Sequence, residues 1–144
     1  LKVLIVEDEM LLAIELESEV ERAGHHVTAI AMSRSQAQAA ISLERPELAF
    51  VDIQLQDGPT GIDVGRDLAS ERIPFVFVSG NIKKIPNDFV GALGAIEKPY
   101  TVAGMKSAIA YLSGVIDGLS DLPPPTSLVL AEDVKIIRGK HRVL

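Results

Sequence analysis

The 144-residue chain contains no cysteine and no tryptophan, and only 4% of it is aromatic. Without thiols there are no disulfides and no thiolate metal centres, which fits a reducing compartment. With so few rings, the core must be packed from Val, Ile, Leu and Ala. Positive charge is also short: the formal net charge is -6, which argues against a general nucleic-acid surface. No apolar run approaches the roughly 20 residues of a membrane helix, and neither a targeting segment nor an internal repeat is evident. Zinc is not expected, because His25-His26 reads as a surface turn and His141 is isolated. No calcium-loop pattern of the EF-hand kind occurs either.

What the chain does have is a series of short apolar runs, several ending in chemistry. Lys2-Val3-Leu4-Ile5-Val6 runs into Glu7-Asp8-Glu9, and Leu48-Ala49-Phe50-Val51 runs into Asp52. Pro74-Phe75-Val76-Phe77-Val78 leads to Ser79-Gly80-Asn81, and Ala95-Ile96-Glu97 leads to Lys98-Pro99. With residues 27–31, these read as five buried strands. Between them the spacing predicts helices. One spans residues 10–23, stopped by Gly24, and its early Glu residues suit the N-terminal dipole. A second, over 33–44, opens on a Ser33 to Gln36 capping box, with Ala37, Ala40, Ile41 and Leu43 facing inward. A third covers 61–71. A short, glycine-weakened helix is expected at 89–93. The last runs from 101 to about 119, with Thr101 as its cap.

Strands alternating with helices on short connections imply an α/β parallel sheet covered on both faces. The flavodoxin-like order 2-1-3-4-5 follows, with its switch point between the first and third strands. The domain is expected to span residues 1–119. Residues 120–126, with Pro123-Pro124-Pro125, read as a stiff linker. The tail, 127–144, is too short for a domain, yet Leu128-Val129-Leu130 and Val134-Lys135-Ile136-Ile137 are apolar enough to need burial. They read as a strand or short helix docked on this domain or a neighbour, or as a loose end.

This topology brings Glu7, Asp8, Asp52, Ser79 and Lys98 to one rim. Three close carboxylates favour a hard divalent cation, and Mg²⁺ suits one or two carboxylates plus a phosphate. Lys98 facing them also reads as a structural ion pair. An Asp, a cation, a hydroxyl and a metal together make a phosphoryl-transfer site, in which Asp attacks phosphorus and forms an acyl phosphate.

Val6-Glu7-Asp8-Glu9, Phe50-Val51-Asp52, Val78-Ser79-Gly80 and Lys98-Pro99-Tyr100 resemble the response-regulator receiver domain of two-component signalling. The resemblance implies that Asp52 is the phosphoacceptor, taking its phosphoryl group from a histidine kinase or phosphotransfer protein. It implies that Asp8 and Asp52 bind Mg²⁺, with Glu7 assisting and the backbone carbonyl of Gln54 as a further ligand. Ser79 would be the switch hydroxyl and Lys98 the phosphate contact. The implied protein is a cytoplasmic signalling module, not a turnover enzyme, that switches a protein–protein surface and makes no direct contact with nucleic acid or membrane. A homodimer is compatible with this reading.

Two departures stand out. Ala95 sits where the family carries its aromatic switch, three residues before the lysine. The stretch 74–81 resembles the Pro-Phe-x-Phe-Ala-Thr-Gly-Tyr motif of an atypical, largely alphaproteobacterial receiver group, often single-domain partners of HWE-type kinases. Two other readings stand beside this one. A receiver-like adaptor that is never phosphorylated is one. An Asp-nucleophile phosphohydrolase is the other, and it is disfavoured because that class places a second Asp where this chain has Gln54.

Overall fold

In the computed structural model, residues 1–118 and 123–131 are described. Six strands form one sheet in the order β2-β1-β3-β4-β5-β6. They are β1 (Lys2–Val6), β2 (His26–Ala31), β3 (Leu48–Val51), β4 (Phe75–Ser79), β5 (Gly94–Glu97) and β6 (Leu128–Leu130). The first five are parallel and in the expected order, and β6 joins the β5 edge antiparallel. The helices are α1 (Met10–Arg22), α2 (Arg34–Leu43), α3 (Gly61–Ser70) and α4 (Val102–Ile116).

Alternation along each strand sends side chains to opposite faces. Val3, Ile5, Phe50, Val76, Val78 and Ile96 pack with Ala13, Leu16 and Val20 of α1 and Met105, Ile109 and Leu112 of α4. Leu4, Val6, Ala49, Val51, Phe75 and Phe77 pack with Ala37 of α2 and Val64 and Leu68 of α3. Phe75 and Phe77 meet edge to face, centroids 5.4 Å apart. The helix ends follow the expected chemistry. The Thr101 side chain accepts from the Gly104 amide, and that of Ser33 accepts from the Gln36 amide. The returning bond of the capping box lands one residue early, from the Met32 amide to Gln36 Oε1 at 2.8 Å.

Two expectations need correction. Residues 89–93 do not make an α-helix. The β4–β5 connection instead carries two 3₁₀ turns, at Ile82–Lys84 and Phe89–Gly91. Pro86, Gly91 and Gly94 leave too little uninterrupted chain for a helix, and Phe89 and Val90 take left-handed φ of 52° and 56°. Leu43 does not face inward but is 90% exposed at the end of α2, where the helix has run past its neighbours. Glu9 holds the boundary position of α1 without a side-chain cap bond. Of the forms expected for the tail, a docked strand is the one found, as β6 on the β5 edge, whereas Val134 to Ile137 lie outside the described residues.

Candidate functional site

Parallel register sets the rim. Val6 pairs with Val51, so β1 and β3 end level. The Asp52 amide donates to the Val6 carbonyl at 2.9 Å, fixing the two departing chains side by side. Glu7, Asp8 and Asp52 therefore leave the sheet together, each offering a carboxylate oxygen within 4.8 Å of the others. On the other flank, Ser79 pairs with Glu97, and Lys98 is the next residue. Its amide donates to the Ser79 carbonyl at 2.8 Å.

Lys98 closes the two flanks. Its Nζ donates to Glu7 Oε1 at 2.6 Å and to Asp52 Oδ2 at 2.8 Å. The side chains are mostly shielded from water: 18% exposed for Lys98, 13% for Asp52 and 7% for Glu7. Shielding strengthens each charge interaction and penalises any charge left alone. Burial pushes the Glu7 carboxyl up to about 7, with Asp52 adding to the push and Lys98 opposing it. Burial draws the Lys98 ammonium down, but its bonds to Asp52 and Glu7 outweigh this and hold it above its ordinary value.

Ser79 is buried at the end of β4, and its Oγ accepts from the Asn81 amide at 3.1 Å. The hydroxyl proton remains free to be donated elsewhere. Gln54 is exposed on the loop two residues past Asp52. That loop is folded by a Leu55–Gly58 bridge and by the Gln56 amide donating to the Met32 carbonyl at 3.0 Å.

Two residues matter that the motifs did not single out for the site. Gly61, first in α3, lies against the Asp52 turn: its amide donates to the Ile53 carbonyl, and a Cβ there would sit 2.0 Å from the Asp52 carbonyl oxygen. A glycine opening a helix after Pro59-Thr60 was the faint signal. Half-buried Tyr100 lines a cavity of about 10 Å³ together with Leu16, Val78, Glu7 and Asp52, and burial raises its phenol pKa. Ala95, in the place of the family's aromatic switch, is fully buried between Phe77 of β4 and Val129 of β6.

The donor set fits a hard divalent cation: three carboxylates converge, with no His or Cys among them. Glu7, Asp8 and Asp52 are the residues that would hold it.

Comparisons with known proteins agree with this geometry. Residues 3–110 match the response regulator receiver domain family. The chain is 34% identical over 112 residues to the phyllosphere-induced regulator PhyR of Methylorubrum extorquens, covering 76% of this chain and 42% of that protein. The receiver domain of Erythrobacter litoralis PhyR superposes with a TM-score of 0.69 at 29% identity, covering 85% of this chain and 93% of that one. Bartonella quintana PhyR, described as an anti-anti-sigma factor, superposes with a TM-score of 0.68 at 30% identity, covering 84% and 50%. The chain thus spans less than half the length of the curated relative it matches. With five parallel strands in the expected order and an acidic rim bridged by lysine, the chain belongs to the response regulator receiver family.

Proposed function

We propose that Asp52 accepts a phosphoryl group from the phospho-histidine of a sensor kinase or phosphotransfer protein. The P–N bond breaks as Asp52 Oδ forms a P–O bond, and the histidine leaves with its electron pair. The observation that carries this reading is the Lys98 ammonium held 2.8 Å from Asp52 Oδ2 and 2.6 Å from Glu7 Oε1, beside Asp8. Lys98 is placed to follow charge from the carboxylate onto the incoming phosphate oxygens, the kind of preset electrostatics that phosphoryl transfer needs. Ser79 has a hydroxyl proton to give to a phosphate oxygen while its Oγ keeps the Asn81 amide. Mg²⁺, held by Glu7, Asp8, Asp52 and the Gln54 carbonyl, supplies further charge neutralisation when bound.

In this reading the protein is a cytoplasmic, phosphorylation-controlled switch and not a turnover enzyme. Residues 1–119 form the receiver unit, 120–126 a linker and 127–144 a tail. The resemblance of residues 74–81 to the Pro-Phe-x-Phe-Ala-Thr-Gly-Tyr motif supports a kinase of the HWE type upstream. The anti-anti-sigma role named for the Bartonella relative supports a protein target downstream rather than nucleic acid.

Incubation with Mg²⁺ and a small acyl-phosphate donor, followed by intact mass measurement, tests the proposal. A single phosphoryl adduct is expected, absent in Asp52→Asn. No adduct from donor or kinase would support a constitutive adaptor. Steady turnover of a phosphate ester would support a hydrolase.

A further inference from the structure

The β5 edge carries something the phosphoryl chemistry does not need. In a sheet of parallel strands, β5 is the last, and its outer edge would present unpaired backbone groups. Here the chain returns after α4 and lays down β6, pairing Gly94 with Leu130, Ala95 with Val129 and Ile96 with Leu128. The Ala131 amide adds a bond to the Leu93 carbonyl at 3.0 Å. Leu128 and Leu130 are buried, at 5% and 7% exposure, in the core beside Met105 and Ile109 of α4, while Val129 faces out.

Two glycines are shaped to this segment. A Cβ on Gly94 would lie 2.3 Å from the Val129 carbonyl oxygen, and its three closest neighbours all belong to β6. A Cβ on Gly104, inside α4, would lie 3.0 Å from Thr101 Oγ1, the helix cap, and 3.2 Å from Ser127 Cβ, and the Gly104 carbonyl accepts from Ser127 Oγ at 2.8 Å. Neither glycine has a positive φ, so neither is required by its own backbone. Glycine within a helix or strand is less stable than alanine. At Gly94 the missing side chain is clearance for residues 127–131, and at Gly104 it is clearance for Ser127 and the Thr101 cap together.

We propose that the β5 edge is a strand-accepting site, and that residues 127–131 are its built-in peptide ligand, closing it within the same chain. The site takes an extended peptide of the form hydroxyl–apolar–x–apolar. Main-chain pairing to β5 provides adhesion, and two pockets over α4 select the alternate apolar side chains. Because a three-residue strand makes few bonds, closure relies on the high effective concentration of a tethered ligand. The site does not depend on the phosphoryl-transfer reading.

The test separates ligand from receptor in the full chain. Leu128→Asp with Leu130→Asp spoils the tethered ligand and leaves the acceptor edge intact. A fluorescent peptide of sequence Thr-Ser-Leu-Val-Leu-Ala should bind this variant at least tenfold more tightly than it binds the wild type, read by polarisation. Adding Gly94→Ala to the open variant should abolish binding. A folded open variant that ignores the peptide, or a wild type that binds it equally well, overturns the proposal. A wild-type dimer that the two Asp substitutions dissociate also overturns it, because the strand then comes from a second copy. Should the open variant fail to fold, hydrogen exchange of Gly94→Ala alone decides. The Ala131 amide should exchange at least tenfold faster than in wild type while β1 and β3 stay protected, and unchanged exchange overturns the proposal.

Discussion

The β1–β3 flank of the sheet and its β4–β5 flank are built differently. On the first, each crossover is a regular helix, and α2 is tied to α3 by the Arg34 guanidinium, which donates twice to Asp67 at 2.9 Å. On the second, the β4–β5 crossover has two 3₁₀ turns, consecutive left-handed Phe89 and Val90, and a short returning strand. The carboxylates Glu7, Asp8 and Asp52 stand on the braced flank, whereas Ser79 and Lys98 stand on the lightly braced one. Groups that must hold position are anchored where packing is regular, and groups that would follow a transferred phosphate sit where the backbone has alternatives.

The largest effect is expected where the two flanks are joined. Lys98→Ala removes the side-chain link between Asp52 and the residue that follows β5, and should slow acyl-phosphate labelling of Asp52 about a hundredfold, in line with losing one preset electrostatic donor. Time-resolved intact mass measures it, and labelling at the wild-type rate would mean the ion pair is structural only.

Next comes the charge balance of the braced flank. The Glu7 carboxyl is raised from its ordinary 4.5 to about 7, so the folded state holds this proton more tightly than the unfolded chain. Stability should therefore fall as pH rises through that window in metal-free buffer, by up to about 3 kcal/mol at ~1.4 kcal/mol per unit. Glu7→Gln should flatten the fall, as read by urea titration at several pH values.

A third measurement sharpens the contrast directly. Amides of residues 82–92 should exchange at least about tenfold faster than those of 61–70. An acyl-phosphate mimic should change protection on the first segment and leave the second alone. Equal exchange on both segments would erase the distinction between the flanks.

The smallest effect lies farthest from the rim. Arg34→Ala should lower stability only slightly, because water screens the Arg34 side of its pair with Asp67. The Arg34 guanidinium holds the Asp67 carboxyl below its ordinary 3.8. The pair's contribution is therefore present above that pH and lost as acid protonates Asp67, so wild-type and variant melts should converge there.

Much of this architecture could be read from the chain itself. Apolar runs ending in Glu7-Asp8, Asp52, Ser79 and Lys98 marked the strands and the residues at their carboxyl ends, because a strand's end follows directly from where its apolar run stops; the strand order followed from the strand–helix alternation and the handedness of crossovers. Ser33 and Thr101 marked helix starts for an equally local reason. The residues that misled were those whose fate depends on distant partners. Phe89 and Val90 carry helical spacing but are bent by their anchoring against α3 and by the glycines around them. Leu43 has the period of a core residue but no neighbour to meet. Leu128 and Leu130 announced a need for burial without saying where, since the gap that receives them is left by Gly94, 34 residues earlier than Leu128. Gly61 escaped notice because the contact it protects is with backbone, and backbone leaves no trace in composition.

That glycine sets a limit on how the domain can drift. With the Asp52 carbonyl only 2.0 Å from where a first side-chain carbon would stand, a saturation library at codon 61 screened for Asp52 labelling should return glycine alone. Neighbouring codons on the outward face of α3 should accept most of the alphabet. The spacing from Asp52 to the following helix is thus locked by an atom that is not there.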